Sequence, residues 1–233
     1  MSAARTPVVV IVGGGFAGLN AAKALKRAPV RVLLIDRTNH HLFQPLLYQV
    51  AICTLSPTQI AAPIREILGS QENATAIMGE VVGVDKAERR VFVNTEDRER
   101  VEIRYDYLIL ATGATHSYFG HPEFAAYAPG LKSLADAEGI RNRILSAFEQ
   151  AEAEDDPRAH RDLLTFVLVG GGPAGVEMAG ALAIFVRRSL PGQFRRIDPT
   201  SARIILVDMA NKVLGPYADD LSTTARQRLD TLN

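Results

Sequence analysis

Residues 8–12, Val-Val-Val-Ile-Val, form an unbroken apolar run, the pattern of a parallel strand covered on both faces. A glycine-rich turn follows. The alanine-rich stretch after it predicts a helix over residues 17–27, stopped by Pro29. Residues 30–35 return to a continuous apolar run that ends at Asp36, completing one strand–helix–strand unit. The same succession recurs downstream. An apolar run ends at Val169, a second glycine turn leads into a helix that Pro191 and Gly192 break, and a strand over 202–207 ends at Asp208.

Other patterns lie between and after these units. Residues 39–50 hold large apolar side chains at a density too high for a solvated loop, which predicts packing against core or ligand. Ser56-Pro57 predicts a helix start, with the helix continuing to residue 68. Residues 76–85, 90–94 and 101–104 are short strands separated by charged turns, the signature of an antiparallel meander, and 105–110 is a buried strand. Ile140, Ile144 and Phe148 mark one apolar stripe of a helix over 135–153. The charged stretch 152–162 reads as a solvated loop, and 221–232 as the start of a further helix.

Both glycine turns fit G-x-G-x-x-G: Gly13, Gly14, Gly15, Phe16, Ala17, Gly18, then Gly170, Gly171, Gly172, Pro173, Ala174, Gly175. The first glycine permits a tight bend, the second lets backbone approach a pyrophosphate, and the third lets helix and strand pack closely. The helix N-terminus supplies free N–H groups and partial positive charge. One such motif is a weak signal. Two, each between a strand and a helix, imply two dinucleotides in one protein and electron transfer between them. The expected fold class is α/β, with two Rossmann-like dinucleotide-binding units and a small antiparallel β-meander. The first domain is expected over 1–120, with its meander at 75–104, and the second over 121–233. That second unit shows only two strands, so it is expected to be incomplete and the chain truncated.

Asp36 and Asp208 close the second strand of each unit, where a carboxylate can accept hydrogen bonds from ribose hydroxyls. Asp208 would repel a 2′-phosphate, which favours NADH over NADPH at the second turn. Lys212 nearby acts in the opposite sense. Glu177 has two readings: a carboxylate stabilising a helix N-terminus, or a group that orients nicotinamide or couples to protons. His40-His41 lacks a third ligand nearby, so a metal is not expected. Cys53 reads as a small buried side chain rather than a nucleophile.

Composition removes several function classes. Lys+Arg and Asp+Glu both number 26, and no basic stripe for nucleic acid is present. The single cysteine excludes an internal disulfide and suits a reducing compartment. Residues 163–186 are the most apolar stretch, but glycines, Pro173 and Glu177 interrupt them, so no membrane span is expected.

With these residues laid out, the chain resembles the type II NADH dehydrogenases, single-subunit NADH:quinone oxidoreductases. The resemblance rests on residues 39–51 (Asn-His-His-Leu-Phe-Gln-Pro-Leu-Leu-Tyr-Gln-Val-Ala), on Leu55-Ser56-Pro57 and on residues 60–65. Ala111-Thr112-Gly113-Ala114, Ser117-Tyr118-Phe119-Gly120 and residues 170–180 also carry it. It implies FAD at the first turn, held by Gly13, Gly14, Gly15, Phe16, Ala17, Gly18, Asp36 and Arg37. Residues 44–50 would run beside the flavin ring, with Gln44, Pro45, Leu46 and Leu47 holding it. Val81 would offer backbone to the adenine, and Ala111, Thr112 and Gly113 would lie near the phosphates. It implies NADH at Gly170, Gly172, Pro173, Ala174, Gly175 and Asp208, with Glu177 near nicotinamide and flavin. Disulfide reductases of the same superfamily carry a cysteine pair after the first unit, and sulfide:quinone reductases need several cysteines. The single Cys53 fits neither.

The implied partners are NADH and a quinone. A homodimer is left open, and membrane contact is expected only through a C-terminal part not present in this sequence. The implied location of the intact protein is peripheral, on the cytoplasmic face of the cell membrane. The alternatives are a related flavoprotein reductase with another acceptor and a nucleotide-binding module without turnover.

Overall fold

The computed structural model describes residues 5–232 and divides into two compact units. One comprises the chain up to Phe43 together with Thr58–Thr115. The other comprises Gln44–Pro57 together with the chain from His116. A boundary therefore falls between Thr115 and His116, and residues 44–57 leave the first unit to join the second.

In the first unit, β1 (Val8–Val12), β2 (Arg31–Asp36), β5 (Ala74–Met78) and β9 (Tyr107–Leu110) form a parallel sheet in the order β5-β2-β1-β9. Successive side chains of β1 point to opposite faces. Val9 and Ile11 meet Leu19 and Ala22 of α1 (Phe16–Ala24) and Ile64 and Leu68 of α3 (Ile64–Leu68). Val8, Val10 and Val12 meet Val91, Val93 and Tyr105 on the other face. Val91 and Val93 belong to the expected meander, an antiparallel sheet of β6 (Glu80–Asp85), β7 (Arg90–Asn94) and β8 (Val101–Arg104), and Tyr105 directly follows it. The apolar run of β1 is unbroken because both of its faces are covered.

Two details differ from the sequence pattern. The apolar stretch 76–85 belongs to two sheets, split at Gly79, whose N–H donates to the Asp36 carbonyl (2.8 Å). The helix expected over 57–68 is mostly something else. A short 3-10 turn, Pro57–Gln59, leads to β4 (Ala61–Pro63), which pairs antiparallel with β3 (His40–Leu42), and only α3 is helical. Pro63 has no N–H to continue a helix, and its fixed φ suits the strand end instead.

The second unit is built on a two-stranded parallel sheet, β10 (Thr165–Val169) with β11 (Arg203–Val207). One face packs under Phe148 of α4 (Leu134–Ala153), whose ring meets Phe166 and Phe194 at 5.6 and 5.8 Å. The other face leaves Val167, Val169 and Val207 exposed. Ser133 and Asp136 form a reciprocal capping box that starts α4. α2 (Leu47–Ala51) buries Leu47, Val50 and Ala51 in this unit, which accounts for the apolar density of residues 39–50.

The stretch expected as a loop over 152–162 contains α5 (Pro157–Leu163). Asp156 caps it, and Pro157 occupies its first turn, where a missing N–H costs nothing. α6 (Pro173–Ile184) continues into a wider π-type turn, Phe185–Ser189, and α7 (Asp219–Asp230) follows β11. Cys53 is exposed rather than buried, with φ +63°. Partial burial raises its thiol pKa against the pull of Arg141, so the thiolate is disfavoured.

Candidate functional site

The two glycine turns share one geometry, contact by contact. Gly13 (φ +105°) and Gly170 (φ +110°) take the left-handed bend. The Gly13 N–H donates to the Ile35 carbonyl at 2.8 Å, and the Gly170 N–H to the Val207 carbonyl at 2.8 Å. The Gly14 N–H donates to Asp36 Oδ2 at 2.5 Å, and the Gly171 N–H to Asp208 Oδ2 at 2.5 Å. The other carboxylate oxygen accepts from the residue two further on, Thr38 N–H at 2.7 Å or Ala210 N–H at 2.6 Å. A Cβ on Gly18 or Gly175 would overlap the carbonyl oxygen of Gly13 or Gly170, so helix and strand close together only with glycine there.

Each turn presents an open face. A Cβ built on Gly15 or Gly172 meets nothing within 4 Å. The N–H groups of Gly15, Phe16 and Ala17, and of Gly172 and Ala174, have no acceptor among the described residues. Neither helix has an acidic residue in its first turn to occupy those donors. Free N–H groups at a helix start, reached through side-chain-free backbone, suit a diphosphate.

The acids that close the strands therefore do structural work first. Asp36 and Asp208 each hold their glycine turn and their own following turn, leaving remaining lone pairs for a ligand. Backbone N–H groups, Ala210 first and then Gly171, hold the Asp208 carboxyl below its ordinary pKa, so it is ionised at neutral pH. Lys212 is committed elsewhere, donating to Asp219 Oδ1 (2.6 Å) and the Tyr217 carbonyl (3.1 Å).

The remaining candidates are distributed as follows. Arg37 is exposed beside Asp36 in sequence. Gln44 and Pro45 are exposed on a 3-10 turn, Gln44–Leu46, with Gln44 Nε2 donating to the Lys132 carbonyl at 3.2 Å. Leu47 is buried at 2% exposure in the second unit, so its side chain serves packing. Val81 pairs with Val93 next to a bulge and packs toward Val91 and Val93. Ala111 donates to the Val12 carbonyl at 2.8 Å, and Thr112 and Gly113 (φ +71°) are exposed beyond it. Glu177 lies beyond the first turn of α6, exposed and without a hydrogen bond or ion pair to any described residue. The dipole effect fades within the first turn, which weakens the helix-stabilising reading of Glu177.

Some participants were not foreseen in the sequence. Thr38 donates both N–H and hydroxyl to Asp36, a turn signalled by the Asp-x-Thr spacing. His41 and Leu214 hold the second-glycine carbonyls of the two turns, Gly14 and Gly171. Nothing local in the sequence marks either, because both contacts bridge separate segments. Among the described residues no group of three or more His, Cys, Asp or Glu could hold a metal, and no helix is long and apolar enough to cross a membrane.

The family model for pyridine nucleotide-disulphide oxidoreductases matches residues 7–233. The chain belongs to this family. It is 52% identical over 224 residues to the type II NADH:quinone oxidoreductase Ndh of Mycobacterium tuberculosis, covering 96% of this chain and 48% of that protein. The type II NADH:quinone oxidoreductase NdhA from the same organism is 49% identical, with 97% of this chain and 48% of that protein covered. Among solved structures, NDH2 from Plasmodium falciparum in complex with NADH superposes with a TM-score of 0.91 at 25% identity, covering 98% of this chain and 47% of that one. The chain thus spans about half the length of the curated relatives it matches. Both paired turns fall inside the matched region of this oxidoreductase family, as do the meander and the 44–57 excursion.

Proposed function

We propose that this chain is the part of an FAD-dependent NADH:quinone oxidoreductase that binds both nucleotides, with FAD at the Gly13 turn and NADH at the Gly170 turn. The supporting observation is the pair of equivalent turns, each with an open glycine face and unbonded N–H groups. The high identity to proteins named as NADH:quinone oxidoreductases directs the choice of nucleotides and of a quinone as final acceptor.

When bound, the nicotinamide and flavin supply hydride and electron transfer. This chain's residues bind and orient. Gly15 and Gly172 admit the diphosphates, and Asp36 and Asp208 offer carboxylate lone pairs to the ribose hydroxyls while keeping each turn in shape. The ionised Asp208 excludes a 2′-phosphate. Lys212, neutralised by Asp219, does not offset that repulsion, so NADH is preferred over NADPH. Glu177, exposed and unpaired, is the carboxylate available to orient nicotinamide.

The test is reconstitution of the purified chain with FAD, followed by anaerobic NADH. A bound flavin spectrum that NADH bleaches supports the reading. A chain that binds no flavin contradicts it. The second reading, nucleotide binding without turnover, predicts bound flavin that NADH leaves oxidised.

A further inference from the structure

We propose that His41 is a positioning residue of the first glycine turn. It fixes the Gly14 carbonyl and thereby aims the Gly15 N–H at the diphosphate held there. The proposal rests on the assignment of FAD to that turn.

His41 Nδ1 lies 3.1 Å from the Gly14 carbonyl oxygen. A carbonyl oxygen only accepts, so the contact needs the proton on Nδ1. The ring is held in place. Its backbone is paired with Ala62 in the β3–β4 ladder, and its ring makes a T-shaped contact with Phe16 at 4.8 Å and 85°, with Phe16 in turn against Phe43 at 5.5 Å.

The Gly14 carbonyl and the Gly15 N–H belong to one planar trans peptide and point in opposite directions. Tethering the carbonyl on one side therefore sets the direction of the N–H on the other. That N–H has no acceptor among the described residues, and the space at Gly15 is open. Gly14 has two soft dihedrals and no side chain, so without the tether this peptide is free to rotate. The Asp36 bond restrains only the preceding peptide, through the Gly14 N–H.

The second turn meets the same requirement with an unrelated donor. There the equivalent carbonyl, that of Gly171, accepts the backbone N–H of Leu214 at 2.7 Å. Leu214 takes a left-handed φ of +54°, a strained choice for a bulky residue. Two turns thus hold the same carbonyl, one with a side chain and one with strained backbone. The recurrence identifies the fixed carbonyl as a requirement of the turn rather than an accident of packing around His41.

The experiment compares the wild-type chain with His41→Phe and His41→Asn. Phenylalanine keeps a ring against Phe16 and removes the donor. Asparagine places its amide nitrogen where Nδ1 stood. FAD affinity is read by flavin fluorescence, NADH affinity by calorimetry, and backbone amide exchange over residues 13–18 by mass spectrometry. The expected result is an FAD Kd raised about tenfold in His41→Phe and restored to within about threefold in His41→Asn. NADH Kd should stay within about twofold throughout, and amide exchange should accelerate in His41→Phe alone.

The proposal is overturned if His41→Phe binds FAD like wild type, if it weakens both nucleotides alike, or if His41→Asn loses as much as His41→Phe. A wild-type chain that binds no FAD contradicts the nucleotide assignment instead. In that case amide exchange still decides the tether: acceleration confined to His41→Phe supports it, and equal exchange in all three chains refutes it.

Discussion

At the scale of single residues, one carboxylate serves two ends in each turn. Asp208 fastens Gly171 and Ala210, and under the proposed NADH site the same charge would face an adenosine 2′-phosphate. Replacing Asp208 by Asn removes the charge and keeps an acceptor, so the NADH:NADPH affinity ratio should fall about tenfold, measured as the two Kd values. The carboxyl is held below its ordinary pKa, so the discrimination should persist through neutral and mildly acidic pH and fail only when the carboxyl protonates. Asp36 and Asp208 were legible in the sequence because each ends an apolar strand after a glycine motif. His41 and Leu214 were not, because a hydrogen bond between distant segments leaves no periodic trace. Cys53 misled for a related reason: an exposed left-handed turn position looks in sequence like any small apolar site.

At the scale of elements, two side chains tie irregular segments to helices. Glu152, near the end of α4, accepts the consecutive N–H groups of Arg195, Arg196 and Ile197 and so holds the segment between α6 and β11. These bonds, that from Arg195 first, lower its pKa. A depressed carboxylate contributes stability that is fully present above its unfolded pKa and lost as pH falls through its folded value. Proteolytic nicking over residues 191–198 should therefore rise in acid below the ordinary glutamate range. Glu152→Gln should show that enhanced nicking already at neutral pH. In the first unit, Asn73 Nδ2 donates to the carbonyls of Leu25, Ala28 and Val30, closing the end of α1. Asn73→Ala should cost about 1–3 kcal/mol, read as a lower urea midpoint, because one side-chain amide no longer ties these three carbonyls together. The strand–helix–strand units were readable from hydrophobic period alone. The β3–β4 ladder was not, because its two strands are too short to show alternation and only their pairing defines them.

At the scale of the whole molecule, the repetition of one turn in two different settings is the main feature. The same turn appears once beside a four-stranded sheet and once beside a two-stranded one. Behind Gly13 stands the Ala111 carbonyl, whereas nothing lies within 4 Å of a Cβ on Gly170. The turns should therefore be separable. Gly18→Ala forces a Cβ against the Gly13 carbonyl and should abolish FAD binding while NADH Kd stays within about twofold. Gly175→Ala should do the reverse. Both glycine turns and the meander were legible in the sequence. The transfer of residues 44–57 to the second unit was not, since it depends on which core receives Leu47, Val50 and Ala51. The most direct measurement is a calorimetric titration of FAD and NADH, in both orders, on a single sample of the chain. Two different sites predict one equivalent of each nucleotide bound without displacing the other. Competition between FAD and NADH for a single equivalent would contradict the account.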